Sequence, residues 1–142
     1  MMMNREILFR GKRVDNGEWI YGWVTSQFKK STNGELLTKI QSKTFGEGEH
    51  LVITETVGQF TGLTDRKDQP IFEGDILNMH GGCDIMDISE YDVRVIVRYG
   101  FTGYGSEIGF SGFYKSGMHC PLMLPGALTV IGNIYDNYEL AE

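Results

Sequence analysis

Val57-Gly-Gln-Phe-Thr-Gly-Leu-Thr-Asp-Arg-Lys-Asp-Gln-Pro-Ile-Phe-Glu-Gly-Asp-Ile76 is the stretch that decides the fold. Phe60 to Leu63 closes a strand, Thr64 to Gln69 is an unbroken polar turn, and Pro70 presets the return at Ile71 and Phe72. Proline suits the first position of a strand, where no ladder donor is required. Glu73-Gly74-Asp75 makes a second, glycine-centred turn before Ile76-Leu-Asn-Met79, and an Asp beside such a Gly accepts hydrogen bonds from nearby backbone. Strand segments this short, separated by turns this tight, leave no room for a helix. Pro70, Gly74 and Asp75 are read as structural turn residues.

Working outward, the same grammar recurs. Glu6 to Val14 reads as a strand, and Asn16-Gly17 is the strongest short hairpin signal, because both central positions of a type I′ turn need positive φ. Asn16 and Gly17 join the structural turn residues. The return over Trp19 to Thr25 puts Trp19, Tyr21 and Trp23 on one face and Ile20, Gly22 and Val24 on the other. Gly22 between aromatics predicts a bulge, or backbone covered by a neighbouring ring. A second Asn-Gly pair, Asn33-Gly34, leads into the strand Leu36–Gln41, and Lys43–Glu49 is a polar, glycine-rich loop. His50–Val57 is a β-branched strand.

Beyond the opening stretch, His80–Asp92 is a long irregular connection. Val93, Val95, Val97 and Tyr99 alternate with Arg94, Ile96 and Arg98, predicting a strand with one buried face. Gly100–Gly117 is a loop and a further strand whose five aromatics among glycines offer a contact surface. Leu128–Tyr135 is the last strand, followed by one helical turn. The fold expected is mostly β, compact and antiparallel, partly barrel-like with SH3-like elements, with long Gly-rich loops and little helix. It is one domain over residues 1–142, or two small β lobes, about 1–62 and 63–142.

The chain has 142 residues with 19 glycines against three prolines, and 41% of it is apolar, enough for one buried core. No apolar run approaches the ~20 residues of a membrane helix. Met1-Met-Met-Asn-Arg-Glu6 carries no apolar signal region, and two cysteines make no disulfide framework. The expected setting is cytoplasmic, with no membrane partner. The net charge of −6 is uneven: residues 1–43 hold eight basic and four acidic side chains, the remainder five and fifteen. Such asymmetry suits an acidic or nucleic-acid partner for the basic part, or head-to-tail self-association, unless the two segments interleave in the fold.

Three blocks together resemble the YopX family of phage and prophage proteins. They are Phe9-Arg-Gly-Lys with Gly17-Glu-Trp-Ile-Tyr-Gly22, Val57 to Asp65 with Pro70-Ile-Phe-Glu-Gly-Asp-Ile76, and Val130-Ile-Gly-Asn-Ile-Tyr-Asp-Asn137. The resemblance spans nearly the whole chain. It implies a compact β-rich fold, a mobile-element origin and expression in the cytoplasm of a bacterial host. It brings no catalytic residues to carry over.

The chemistry-bearing residues are few. His80, Cys83, His119 and Cys120 are four N/S donors of the kind zinc takes, but one pair spaced by two residues falls short of a structural zinc pattern. No metal and no cofactor are expected. Cys120 beside His119 is a nucleophile–base pair in sequence only, and catalysis needs that arrangement in space. The acidic clusters at Asp65–Asp75 and Asp84–Asp92 read as solvated loop charge, and the glycines form no phosphate-binding pattern. Arg10, Lys12 and Arg13 face Trp19, Tyr21 and Trp23 across the first hairpin. Cations beside aromatics on a β surface are how oligonucleotide-binding barrels hold single strands, whereas Trp in a β core is the competing assignment. The expected function is a non-enzymatic phage accessory protein that binds a host or phage macromolecule, as a homo-oligomer. The alternatives are a single-stranded nucleic-acid binder on the basic hairpin, and a small enzyme around His119 and Cys120.

Overall fold

The computed structural model describes residues 7–30, 32–80, 92–101, 108–113, 119–121 and 128–141, and every structural statement below concerns these. Side chains are described over 7–30, 32–79, 94–99 and 128–137, and at 139 and 140. The chain divides into two compact units, Met1–Phe60 and Thr61–Glu142. Among the described residues no helix is long and apolar enough to cross a membrane.

In the first unit, β1 (Phe9–Lys12), β2 (Trp19–Lys29), β3 (Leu36–Ser42) and β4 (Glu49–Ile53) form an antiparallel sheet in the order β4-β3-β2-β1. A 3₁₀ turn at Thr54–Thr56 then leads to β5 (Gly58–Thr64), whose start pairs with β1 through Arg10↔Gly58 and Phe9↔Gln59. The strand expected over His50–Val57 is thus broken by this turn, where the Thr56 hydroxyl donates back to the Ile53 carbonyl at 2.6 Å. It also accepts from the Lys12 N–H at 2.9 Å.

The sheet curls on itself. Arg13, just past β1, bridges Val52 of β4, and the Val14 N–H donates to the Leu51 carbonyl at 3.0 Å. This is the barrel-like element, made by one bridge rather than a closed ladder. Ile20, Ile40 and Val52 are buried on its concave side, with Val24 and Val57 packed against them. Two glycines permit the curl. A Cβ at Gly11 would stand 2.9 Å from Val52 Cγ2, and one at Gly22 would collide with the Gln41 carbonyl oxygen at 1.7 Å. Gly22 is therefore covered by the backbone of β3, not by a ring, and the β2 bulge lies further on, between Val24 and Ser26.

Both Asn-Gly pairs make turns, and matching hydrogen bonds close the two. Arg13 N–H donates to the Glu18 carbonyl and Gly17 N–H to the Arg13 carbonyl; Lys30 N–H donates to Glu35 and Gly34 N–H to Lys30. Each Asn side-chain oxygen accepts from the Glu two residues on, Glu18 or Glu35, at 2.9 Å. Each Gly sits at φ 71, and Asp68 is the only non-glycine with positive φ among the described residues. Asn16 therefore does not occupy the left-handed region, and the type I′ expectation gives way to a wider turn closed by an i→i+4 bond. The repeated pattern is a basic residue, two others, then Asn-Gly-Glu.

In the second unit, β6 (Pro70–Phe72) and β7 (Asp75–His80) are the strands after the opening turn. β8 (Asp92–Phe101), β9 (Ile108–Phe113), β10 (His119–Pro121) and β11 (Leu128–Asn133) complete an antiparallel sheet in the order β10-β9-β8-β7-β11. Its core is Ile71, Leu77, Met79, Val95, Val97 and Leu128, with Leu63 and Val130 alongside. The alternation in β8 holds at Val95 and Val97 and ends there, for Tyr99 is exposed. A single 3₁₀ turn at Tyr138–Ala141 follows the last strand.

The polar residues of the opening stretch knit this unit together. Asp65 is buried, and one carboxylate oxygen accepts from the Lys67 and Gln69 N–H groups while the other accepts from Val130 N–H at 3.0 Å. Burial pushes this carboxyl up, but the N–H groups of Val130, Gln69 and Lys67, with the Lys67 charge, outweigh it and hold Asp65 below the usual carboxylate range. Asp75, also buried, accepts from the Phe72 N–H at 2.8 Å, and Gly74 N–H reaches the Val97 carbonyl. At the C-terminal block, Asn133 Oδ1 accepts from the Tyr135 and Asp136 N–H groups, and Asn137 Oδ1 from Asn133 N–H.

Candidate binding face

The concave side of the first sheet takes Ile20, Ile40 and Val52, and the alternation of β2 leaves its rings on the convex side. Direct cross-strand partners share a face, and Arg10↔Tyr21 and Lys12↔Trp19 therefore set both cations among the aromatics of β2. Trp19 and Tyr21 are half-buried, while Trp23 is 49% and Phe28 40% exposed. β3 adds Lys39 and Gln41 to this side, and β4 adds Glu49 and the exposed Leu51 and Ile53. Water-facing Trp and Phe on a regular strand contribute little to a core.

The cations lie on the rings. Arg10 Cζ stands 4.6 Å from the Trp19 ring centre and Lys12 Nζ 5.9 Å from it, and Lys39 Nζ stands 6.0 Å from Phe28. At these separations the ring quadrupole attracts each cation. Lys39 also pairs with Glu49 at 3.5 Å, and the Thr25 hydroxyl donates to the same carboxylate. The six residues singled out in the first hairpin do not behave alike. Arg10 is 6% exposed against the Trp19 ring, Lys12 is partly buried beside it, and Arg13 turns to the loop. There its guanidinium makes two bonds to Asp15, at 2.9 and 2.6 Å. That contact lowers the Asp15 carboxyl and raises Arg13.

The loop between β3 and β4 adds a ring that composition and pattern did not mark. Phe45 is fully exposed. The loop beneath it is braced: Ser42 N–H donates to Gly48 O, Thr44 N–H to Ser42 Oγ, and His50 Nε2 contacts Glu47 O at 2.7 Å. Ser42 Oγ also bonds the Glu47 carboxylate. The loop leaves the sheet where Lys43 N–H donates to the Tyr21 carbonyl, beside the aromatic row.

The second set of candidates does not assemble on the backbone. His119 pairs with Phe113, Phe113 with Ile96 and Ile96 with Ile76, whereas His80 lies four positions along β7 and pairs with Asp92. At ~4.8 Å per strand and ~3.4 Å per residue, the backbones of His80 and His119 are on the order of 20 Å apart, too far to share one ion. Cys83 lies outside the described residues, as do the side chains of Cys120 and of the aromatics between Gly100 and Gly117. Among the described residues no group of His, Cys, Asp and Glu is placed to hold a metal.

Comparison with known proteins gives the chain's relatives. A family model described as YopX protein matches residues 8–142. Among solved structures, the chain is similar to protein EF1440 from Enterococcus faecalis, at 24% identity over 96% of this chain and 99% of that one. The TM-score is 0.53, a likeness of fold. No curated protein matches the chain.

Proposed function

The chain belongs to the YopX protein family, and from that premise we propose that it is a phage or prophage accessory protein that acts by binding a macromolecule rather than by catalysis. The observation that carries this reading is the convex face of the first sheet, where Trp23 and Phe28 are half-exposed in a row that Lys12 and Lys39 flank, with the fully exposed Phe45 on the adjoining β3–β4 loop. A monomer gains little by holding rings in solvent, and exposed aromatics grouped with cations mark surfaces that a partner covers. The host cytoplasm is the setting that the family resemblance suggests for it.

Capture of tagged protein from host cells tests this reading. Wild-type protein retains a macromolecule that the Trp23→Ala/Phe28→Ala variant releases. Equal recovery by both would place function elsewhere. A second reading, self-association through the same face, is checked by light scattering as the mass at high concentration, with the same variant as control.

A further inference from the structure

Resting on the reading above, we propose that the occupant of the convex face is a single-stranded nucleic acid, with bases stacked on Trp23, Phe28 and Phe45 and phosphates held by Lys12 and Lys39. The choice of occupant follows from the chemistry of the face. Rings predominate over aliphatic side chains, and any base can stack on a ring whatever its sequence. Successive same-face positions on β2 lie about 7 Å apart, so the rings form a track rather than a pocket. Cations flank that track: Lys12 at the Trp19 end and, beside Phe28, Lys39, whose 3.5 Å pair with the exposed Glu49 a phosphate would have to displace.

The acidic excess of the chain lies outside the first unit, which is near neutral. The chain is −6 overall, yet residues 1–60 hold eight of its thirteen basic side chains against seven of nineteen acidic ones. Arg10 and Arg13 contribute differently from what the hairpin pattern suggests. Arg10 lies over Trp19 and stiffens the platform, and Arg13 is engaged by Asp15. The face is curved and carries one-sided aromatics, so a flexible single strand fits it and a duplex, with its bases enclosed, does not. Leu51 and Ile53 at the β4 margin border the track.

Fluorescence titration of the full chain with an oligothymidylate of about 12 nucleotides tests the proposal, since sites of this kind span ~4–16 nucleotides. Expected is quenching of tryptophan emission at low salt, with binding weakened about tenfold in Trp23→Ala and again in Phe28→Ala. The logarithmic salt slope should flatten by about 0.7 in Lys39→Met. Circular dichroism confirms that each variant is folded, and Phe45→Ala, on a loop outside the sheet, is the variant least able to disturb it. Absence of quenching at low salt, or an affinity unchanged in all three ring variants, with Trp19 reporting in Trp23→Ala, overturns the proposal. If the oligonucleotide fails while host-cell capture still depends on Trp23 and Phe28, the face stands and its occupant is a protein. If both fail, the reading of the face falls as well.

Discussion

Asp65 is a buried polar residue on which several backbone groups of the second unit converge. Its carboxylate satisfies three backbone N–H groups, on Lys67, Gln69 and Val130, and so ties the polar turn to β11. Replacement by Ala should cost about 2–3 kcal/mol, because bonds to a charged acceptor are lost and buried donors are left open; urea unfolding measures this. The same residue gives a pH signature. Its folded-state pKa lies below the unfolded value, so its contribution is complete above the ordinary carboxylate range and disappears as the pH falls through the folded value. Asp65→Asn should therefore flatten the acid limb of the stability profile, and an acid limb identical to wild type would contradict it. Gly22→Ala should be more damaging still, since the added methyl meets backbone rather than a movable side chain.

At the scale of elements, the two Asn-Gly-Glu turns make a matched pair. Gly17→Ala and Gly34→Ala each force a side chain into the left-handed region and should each cost about 1 kcal/mol, additively because the sites are independent. Thermal melts of the single and double variants check this. The turns also show how much of the fold the sequence discloses. Their positions are plain from Asn and Gly alone, but their type depends on loop length, which is set by where β1 and β3 stop pairing. Period-2 alternation separated Trp19, Tyr21 and Trp23 from Ile20 and Gly22 correctly. It did not say which side was core, because that depends on the curl permitted by Gly11 and Gly22 and on Val52 arriving from β4. Phe45 had no periodic context and carried no signal. Tyr99 followed the alternation of β8 but stands past the buried part of the strand.

For the whole molecule, architecture and candidate function occupy different parts of the chain. The best-marked stretch, Val57–Ile76, is explained by turns and a core: Pro70 opens β6, Gly74 and Asp75 close the next turn, and Ile71 and Leu77 are buried. The face proposed for a partner lies in the first unit, on rings that stand half or fully exposed. That separation can be measured without knowing the partner. Urea unfolding of the Trp23→Ser/Phe45→Ser variant compares the two roles directly. If these rings serve binding, the pair should change stability by less than about 1 kcal/mol, as surface substitutions do. A loss of about 3 kcal/mol or more, the cost of removing a large side chain from a core, would show that the rings hold the fold together and would contradict the account.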